Sequence, residues 1–455
     1  MTEKIDLRGR TLLASGFHAP ERGQVDVLRD VLIAVGADGV IATVLRPGED
    51  GYDLLLNEAR RTGTLATLPA GAVLLPGFVD LHVHAPQYPQ LGRALDVPLE
   101  VWLHKYTFPL EARYADTVFA RRVYRRLVDD LLACGTTTAL YFATTHIEAT
   151  CLLADICMER GQRALIGKVA MDEPEACPDY YRDASPAAAI EGTRAVIDHI
   201  RAHPDNRDGR VRPVVTPRFI PACTDAALEG LGALARECGC HVQTHCSESD
   251  WEHGHVLARH GVTDAASLDR FGLLGRRSVL AHGNFLTADD MDLLAARGSA
   301  VAHCPVSNAY FAGAVFPLRA ALAKGVRVGL GTDISGGPIG SIMEAMRAAV
   351  MVSRMLETGV DPALTPEERG GGPGARIDFR EAFHLATAGG ADALDLSTGR
   401  FAAGCHFDAI AIDPAAGNGT IRLWNDDHDE DLLQAILYTA SKPNISAVWV
   451  GGAQV

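Results

Sequence analysis

The sequence contains no long hydrophobic run. No stretch of about 18 consecutive apolar residues, the length that predicts a membrane-spanning helix, occurs in its 455 residues. The first ten residues, MTEKIDLRGR, also have no apolar segment of the kind found in secretory signal peptides. We therefore expect neither export nor membrane insertion, and we expect a cytoplasmic location.

Positive charge is scarce. The 42 Lys and Arg residues face 57 Asp and Glu residues, which gives a formal net charge of −15. Such a field repels phosphate backbones and anionic lipid headgroups, so neither nucleic acid nor a membrane surface is an expected partner. An enzyme that edits nucleic acid is disfavoured for the same reason, because no basic stripe flanks the motifs described below. Small neutral molecules are the expected ligands.

Closely spaced cysteine motifs are missing as well. The ten cysteines are scattered between Cys134 and Cys405, and the pair Cys238 and Cys240 has neither zinc-knuckle nor redox-motif spacing. Scattered cysteines in a chain of this length are typical of reduced thiols in a cytosolic compartment. We expect no disulfide framework.

Three regions of the chain differ in hydrophobic pattern. Residues 1–75 contain short β-like runs separated by turn signals such as Ala-Asp-Gly at 37–39. In residues 76–395, apolar runs alternate with amphipathic stretches of helical length, which is typical of βα units. Residues 396–455 are β-like again. The pattern predicts an α/β protein with a (β/α)8 TIM barrel at 76–395 and a small β-sandwich domain formed by 1–75 and 396–455.

The barrel prediction depends on a count of strands. Eight apolar runs have strand character, and they lie at 77–85, 136–146, 164–172, 211–219, 241–248, 278–285, 299–308 and 327–333. Helix-length segments separate them, for example 120–133 with Gly135 as its stop signal and 289–297 with Gly298 as its stop signal. Eight parallel strands are the number that closes a TIM barrel.

A metal site is predicted at the ends of these strands. His82 and His84 stand two apart in the first predicted strand, so both imidazoles point to the same face. Such a pair is weak evidence by itself, because it often arises by chance. His245, His282 and Asp333 stand at the C-terminal ends of later predicted strands, and these ends face the active site of a TIM barrel. We therefore predict an ion bound by His82, His84, His245 and Asp333.

Three imidazoles and one carboxylate suit zinc or ferrous iron, and zinc is the default because no redox partner is implied. A second ion would need a further anionic ligand, often a modified lysine on the fourth strand. That strand ends in Thr-Pro-Arg-Phe at 216–219, and Lys168 lies on the third strand. One ion per chain is predicted.

Several longer segments are more specific than the histidine pattern. They are LPGFVDLHVHAPQY at 75–88, WLHKYTFP at 102–109 followed by Glu111, TTT at 136–138, PRF at 217–219, HCSE at 245–248, AHG at 281–283, AHCP at 302–305 and GTD at 331–333. Together they resemble the guanine deaminase family of the amidohydrolase superfamily over most of the predicted barrel. Val306 and the segments 310–316 and 338–339 depart from the family pattern, so the resemblance implies the reaction more specifically than it implies the base.

The resemblance implies three overlapping sets of site residues. The metal ligands would be His82, His84, His245 and Asp333. The substrate-binding residues would be Gln87, Arg218, Phe219, His245, Glu248 and Asp333. The catalytic residues would be Glu248, Asp333 and His282. The resemblance also implies hydrolysis of guanine to xanthine and ammonia, and because barrels of this type are commonly dimers, a homodimer is expected.

The chemistry of these residue types agrees with a hydrolytic deamination. Asp333 can take the proton of an attacking water, and Glu248 can protonate the ring nitrogen beside the attacked carbon. In an ideal strand Glu248 would face away from the site, so we expect the chain to turn after His245. A solvated loop carboxylate is the alternative for Glu248. His282 is either a weak ligand or a group that orients the water.

Two polar side chains match the edge of a purine. The planar guanidinium of Arg218 suits a lactam carbonyl, and Gln87 offers both a donor and an acceptor. Phe219 either stacks on the base or packs in the core. The remaining candidates are His104, His146 and His303 as supporting polar groups, and Trp102 and Phe108 as packing or lid residues.

Two alternatives stay open. The same chemistry on another amino-purine, a pterin or an amino-triazine differs only in the loops around the pocket. A catalytically silent barrel that serves as a binding protein belongs to another class, and it predicts the loss of ligand positions. None of the ligand positions is lost in this sequence.

Overall fold

The computed structural model describes residues 4–371, 373–424 and 428–455. The chain begins with the elements β1 (Thr11–His18), β2 (Asp26–Val35), β3 (Ile41–Leu45), α1 (Tyr52–Thr62), β4 (Leu65–Thr67) and β5 (Val73–Pro76). β1 and β2 pair antiparallel, with Thr11 opposite Ala34, and β2 pairs antiparallel with β3. The β-like character predicted for residues 1–75 is confirmed, and the apolar run at 31–35 is one example, since it forms the end of β2.

The next nine strands form the barrel. They are β6 (Phe78–His84), β7 (Thr136–Phe142), β8 (Arg163–Gly167), β9 (Val169–Ala170), β10 (Val211–Pro217), β11 (His241–Cys246), β12 (Ser278–His282), β13 (Ala300–His303) and β14 (Arg327–Leu330). All their pairings are parallel, in the order β14-β13-β12-β11-β10-β8-β7-β6, and the short β9 also pairs with β10. A parallel bridge between Val83 and Ile334 joins β6 to the segment after β14 and closes the ring.

Helices cover the outside of the barrel. They are α2 (Leu99–Trp102), α3 (Phe108–Ala112), α4 (Thr117–Ala133), α5 (Ile147–Arg160), α6 (Pro186–Ala202), α7 (Asp225–Cys238), α8 (Asp250–His260), α9 (Asp264–Arg270), α10 (Ala288–Arg297), α11 (Pro305–Ser307), α12 (Leu318–Ala323), α13 (Ile342–Thr358), α14 (Pro366–Arg369), α15 (Phe379–Ala386) and α16 (Ala388–Ala393). α10 shows the local signals clearly: Thr287 and Asp290 form a capping box, and Gly298 ends the helix at a φ of +68°. Within the described parts of the chain, no helix is long and apolar enough to cross a membrane.

The last elements return to the first sheet. β15 (Ala409–Ile412), β16 (Ile445–Val450) and β17 (Ala453–Gln454) extend it, and α17 (Asp429–Thr439) lies between the first two of these strands. The order β17-β16-β15-β5-β1-β2-β3, with β4 beside β1, shows that both chain ends build one eight-stranded sheet. The predicted α/β class is confirmed: a TIM barrel, and a β-unit made from both termini.

The predicted ends of the barrel strands need correction. All eight strands are present and begin within one residue of the predicted start, but each ends earlier than predicted. The clearest case is the run at 299–308, where β13 stops at His303 and Pro305 opens α11. The residues between the observed and the predicted strand ends lie in mostly buried turns, and these turns carry site residues such as Glu248 and Asp333.

A buried ion pair joins the barrel to the terminal sheet. Arg163, at the start of β8, donates to both carboxylate oxygens of Asp408, at 2.8 and 3.1 Å. Asp408 also accepts from Thr398 Oγ1 at 2.8 Å and from the backbone N–H of Gly451 at 2.7 Å. Since Arg163 is 4% and Asp408 2% exposed, neither charge has water as a substitute partner. The ion pair between Arg163 and Asp408 therefore fixes the barrel to the terminal sheet.

Replacing Asp408 by Ala should lower the free energy of unfolding by about 3–5 kcal/mol, because it leaves the Arg163 guanidinium buried without a counter-charge. The measurement is thermal or denaturant-induced unfolding of the purified variant. Glu159→Ala is the control, since the pair between Glu159 and Arg125 is exposed and should be worth at most about 1 kcal/mol. A loss for Asp408→Ala no larger than that of the control would contradict the prediction.

Candidate metal centre and active site

The candidate site lies at the C-terminal ends of the barrel strands. A pocket opens there, lined by both polar and apolar side chains. Of the nine side chains predicted for the site, only His82 does not line the pocket, because it lies beneath it. The eight that do are His84, Gln87, Arg218, Phe219, His245, Glu248, His282 and Asp333.

Four imidazoles and a carboxylate meet at the floor of this pocket. His84 Nε2 lies 3.0 Å from His245 Nε2 and 3.5 Å from Asp333 Oδ1. His82 Nε2 lies 3.2 Å from the same oxygen of Asp333, and His282 Nε2 lies 3.9 Å from its Oδ2. The ligand atoms of His82, His84 and Asp333 are within 4.8 Å of one another, as are those of His82, His245 and His282. The structure thus brings the four predicted ligands together and adds His282.

This set of donors fits a metal ion. Among the described residues, His82 Nε2 and His282 Nε2 are buried without a hydrogen-bond partner, which is costly for a nitrogen atom. The nitrogens of His84 and His245 face each other at 3.0 Å, an approach that a shared cation accounts for. Burial lowers the pKa of His82, His84 and His245, which favours the neutral imidazole that binds metals.

Hydrogen bonds on the far side of the rings orient these imidazoles. His245 Nδ1 donates to the backbone carbonyl of Arg218 at 2.6 Å, and His282 Nδ1 donates to Oδ1 of Asn308 at 2.9 Å. Each bond turns Nε2 towards the site. Asn308 in turn donates to Asn284 at 2.8 Å. Sequence analysis missed both asparagines, because nothing in their spacing relates them to the histidines.

Asp80 is a further residue that sequence analysis missed. Its Oδ2 accepts from the Thr332 hydroxyl at 2.6 Å, and its Oδ1 accepts from the backbone N–H groups of Thr332, at 3.0 Å, and His82, at 3.2 Å. Burial raises the pKa of Asp80 to about 7. The carboxyl fastens the turn that carries Asp333 to the strand that carries His82. Its position, two residues before His82 on the same strand face, is the signal that could have identified it.

Glu248 reaches the pocket because the chain turns after β11, as expected. Ser247 adopts a left-handed φ of +51°, which rotates the following residue towards the barrel axis. Glu248 Oε2 then lies 3.7 Å from His282 Nε2, and Asn284 Nδ2 holds the Glu248 carbonyl at 2.8 Å. Burial raises the pKa of Glu248. The alternative of a solvated loop carboxylate is excluded, since Glu248 is 8% exposed.

A buried carboxylate, Glu111, holds both predicted purine-reading side chains. Arg218 donates to its two oxygens from Nη1 at 2.6 Å and from Nη2 at 3.2 Å, and Gln87 Nε2 donates at 2.9 Å. Gln87 Oε1 accepts from the backbone N–H of Ser335 at 3.2 Å. Glu111 had no assigned role in the sequence, although it belongs to the segment that resembles the family. Glu111 makes Arg218 part of a neutral pair. It also orients the Gln87 amide, so that Nε2 faces Glu111 and Oε1 faces the backbone N–H of Ser335.

Apolar side chains form the walls above these polar groups. Phe219 stands beside His245, with ring centroids 6.2 Å apart. The ring centroids of Trp102, at the end of α2, and Phe311, in the π-helical region Asn308–Ala312, lie 5.1 Å apart. Trp102 and Phe311 both line the pocket. The choice between packing and lid for Trp102 stays open, and Phe311 lies in one of the segments that depart from the family pattern.

The remaining candidates lie away from the floor of the site. His146 Nε2 donates to the carbonyl of Ala112 at 3.2 Å, and the His104 ring packs edge-on against Phe108 at 5.2 Å. Phe108 lies beneath the Arg218 guanidinium, 4.9 Å from its centre. His303 is buried beyond the pocket lining, and burial lowers its pKa to about 3.

Comparisons with known proteins place this geometry in a family. The amidohydrolase family model matches residues 73–455. A guanine deaminase of Dictyostelium discoideum is 35% identical over 457 residues, which cover 96% of this chain and 96% of that protein. A crystal structure of guanine deaminase from C. acetobutylicum with bound guanine has a TM-score of 0.86 at 29% identity, covering 98% of this chain and 99% of that chain.

A structure described as an adenosine deaminase from Xanthomonas campestris with bound zinc is also similar, with a TM-score of 0.79 at 25% identity over 98% of this chain and 92% of that chain. The match to the family extends from the last strand of the N-terminal β-unit through the whole barrel to the end of the chain. On the extent of this match and the identity to full-length relatives, the chain belongs to the amidohydrolase family and, within it, to the guanine deaminases.

Proposed function

We propose that this chain hydrolyses guanine to xanthine and ammonia at a site that holds one zinc ion. The observation that carries the proposal is the meeting of two arrangements in one pocket: the cluster of His82, His84, His245 and Asp333, and the wall of Arg218 and Gln87. Three histidines and an aspartate are typical zinc ligands, and a similar structure carries zinc. Lys168 donates to Asp183 at 2.7 Å and is not a ligand, which favours a single ion.

Binding of the base is assigned to the groups above the ligand cluster. Arg218 and Gln87 contact the lactam edge of guanine, with the carbonyl oxygen facing the guanidinium. Phe219 supports the purine face. Because Arg218 is paired with Glu111, the wall carries no net charge, which suits a neutral base better than an anion.

The reaction at carbon 2 needs a water-derived nucleophile and two proton transfers. Zinc, when bound, acidifies a water so that a nucleophile is available near neutral pH. Asp333 accepts the proton of the attacking water and passes it to the amino group, which leaves as ammonia. Glu248 donates a proton to ring nitrogen N3 and is restored by the proton of the new hydroxyl as the C–N bond breaks. His282, whose Nε2 lies 3.7 Å from Glu248 Oε2 and 3.9 Å from Asp333 Oδ2, orients the attacking water.

The raised pKa of Glu248 supports this assignment. A carboxyl that donates to N3 must carry its proton in the free enzyme, and burial favours that neutral form. Asp333 differs because imidazoles surround it at 3.2 to 3.9 Å, which favours the ionised form that accepts a proton. The two carboxyl groups are thus prepared for opposite tasks.

Three properties of the whole chain complete the proposal. We assign 76–395 to the catalytic barrel and 1–75 with 396–455 to a second domain, which the two separate sheets support. The ten free thiols support a reducing compartment, the cytoplasm. A homodimer is proposed, and the exposed apolar side chains of Met351 and Met355 on α13 offer a surface for it.

Ammonia release tests the function directly. Protein of measured metal content is incubated with guanine, 8-oxoguanine, adenine, cytosine and an amino-triazine, and xanthine is quantified in the guanine reaction. We expect selective turnover of guanine by protein with about one zinc per chain, because the Arg218 and Gln87 wall matches its lactam edge. Selective turnover of the amino-triazine would instead support the alternative substrate class, in which the same chemistry acts on another amino-heterocycle.

Two substitutions separate metal binding from proton transfer. His82→Ala should abolish metal retention together with turnover, because it removes a ligand. Glu248→Gln should retain the metal and lose about 10²- to 10⁴-fold in kcat, because the amide cannot protonate N3. Elemental analysis and steady-state kinetics provide the two readouts, and Glu229→Gln on the exposed face of α7 is the matched control. Wild-type activity in either site variant would refute the assigned roles.

Substitutions of Arg218 should affect binding and stability to different degrees. Arg218→Lys keeps a positive charge near Glu111 but loses the planar fork, so KM for guanine should rise by about tenfold or more with a smaller effect on unfolding. Arg218→Ala should raise KM and also lower stability by about 3–5 kcal/mol, because Glu111 is left buried without a counter-charge. Kinetics and thermal unfolding are measured beside Arg297→Lys, an exposed control. An unchanged KM in Arg218→Lys would show that the guanidinium does not read the base.

A further inference from the structure

Glu252 is a buried carboxyl group that the mechanism leaves unused. It stands in the first turn of α8, is 1% exposed and lines the same pocket as Glu248. Its Oε2 accepts from the backbone N–H of Glu248 at 2.8 Å. Among the residues that the structure describes, its Oε1 has no hydrogen-bond partner. An unpartnered buried oxygen is costly, so a ligand atom at this position would stabilise it.

The surroundings of Glu252 favour its neutral form. Burial, followed by the negative charges of Asp264 and Glu248, raises the pKa of Glu252 well above its usual range. In the neutral group, Oε2 is the carbonyl oxygen that accepts from Glu248, and Oε1 is the hydroxyl. The hydroxyl then carries one hydrogen for which the described residues supply no acceptor.

The position of Glu252 indicates which part of a base it meets. Glu248 acts at N3, and Arg218 and Gln87 contact the opposite, lactam edge. Since Glu252 is bonded to the backbone of Glu248, it lies on the N3 side of the pocket. The next nitrogen beyond N3 on that side of a purine is N9 of the five-membered ring.

We propose that Glu252 is a further substrate-binding residue, which donates a hydrogen bond from Oε1 to N9 of the 7H tautomer of guanine, in which N9 carries a lone pair and no hydrogen. This inference rests on the proposed function, because it uses the orientation of guanine that Glu248 and Arg218 impose. The hydrogen bond from Glu252 makes the five-membered ring, which takes no part in the chemistry, a determinant of substrate specificity. A base with a substituent on N9 loses this hydrogen bond and collides with the carboxyl group.

Helix capping is the competing explanation for this residue. Ser249 caps α8 by accepting from the N–H of Glu252 at 3.3 Å, and Glu252 itself caps the N–H of Glu248. Capping uses only Oε2 of Glu252 and does not account for Oε1, which has no hydrogen-bond partner among the described residues. A residue that only caps the helix would matter equally for every substrate, whereas a contact to N9 would matter only for bases with a free N9.

The test compares guanine with 9-methylguanine in four proteins: wild type, Glu252→Gln, Glu252→Ala and the exposed first-turn control Asp250→Asn. The amide of Glu252→Gln keeps both an acceptor for Glu248 and a donor for N9, so kcat/KM for guanine should stay within about threefold of wild type. Glu252→Ala should lose about 10- to 100-fold for guanine. 9-Methylguanine is followed as a substrate, or as a competitive inhibitor where its turnover is too slow.

The decisive readout is the ratio of kcat/KM for guanine to kcat/KM for 9-methylguanine, because this ratio is independent of the fraction of folded, metal-loaded protein. In Glu252→Ala this ratio should fall by about tenfold or more. Equal losses for both bases, or a loss in Glu252→Gln as large as in Glu252→Ala, would overturn the role of Glu252. Wild-type protein that does not convert guanine would overturn the proposed function instead, so the two failures are distinguishable.

Discussion

Two backbone hydrogen bonds join the first barrel strand to the segment after the last one. The N–H of Asp333 donates to the carbonyl of His82 at 2.8 Å, and the N–H of His84 donates to the carbonyl of Ile334 at 3.0 Å. The carboxyl group of Asp80 reinforces the same seam. Because predicted metal ligands stand on both sides of it, closure of the barrel brings these side chains together. Any shift in the register of this seam would separate the carboxylate from the imidazoles.

Arg218 connects the metal side of the pocket to the substrate side. Its backbone carbonyl orients His245, and its guanidinium pairs with Glu111. Glu111 in turn holds the amide of Gln87. Buried charges are tolerated in a protein interior when they are paired and fully hydrogen-bonded, and this arrangement meets that condition. Hydrogen bonds to Glu111 therefore hold Arg218 and Gln87 in place, and if these side chains bind the base as proposed, this reduces the conformational entropy lost on binding.

The ends of the barrel strands carry backbone strain that serves the site. Ser247, His282 and Asp333 have φ values of +51°, +73° and +48°, in the left-handed region that side chains other than glycine rarely adopt. Such residues cost about 1–3 kcal/mol each and persist where surrounding contacts fix them. Here the left-handed conformations at these three positions turn the side chains at the strand ends towards the pocket. The same turns bring Glu248 and Glu252 to one side of the pocket.

The hydrophobic periodicity by itself determined the eight strands of the parallel barrel, and the positions of His82 and Asp333 predicted a metal site at their ends. Both follow from a local rule, since the C-terminal ends of parallel strands face one side whatever the packing between them. The ends of the strands and the contacts of Glu111 and Glu252 were decided only by the tertiary structure. Glu111 and Arg218 are 107 residues apart in sequence, and no periodicity records a contact over that distance. Whether a buried carboxyl balances a cation or faces a ligand depends on which distant groups pack around it.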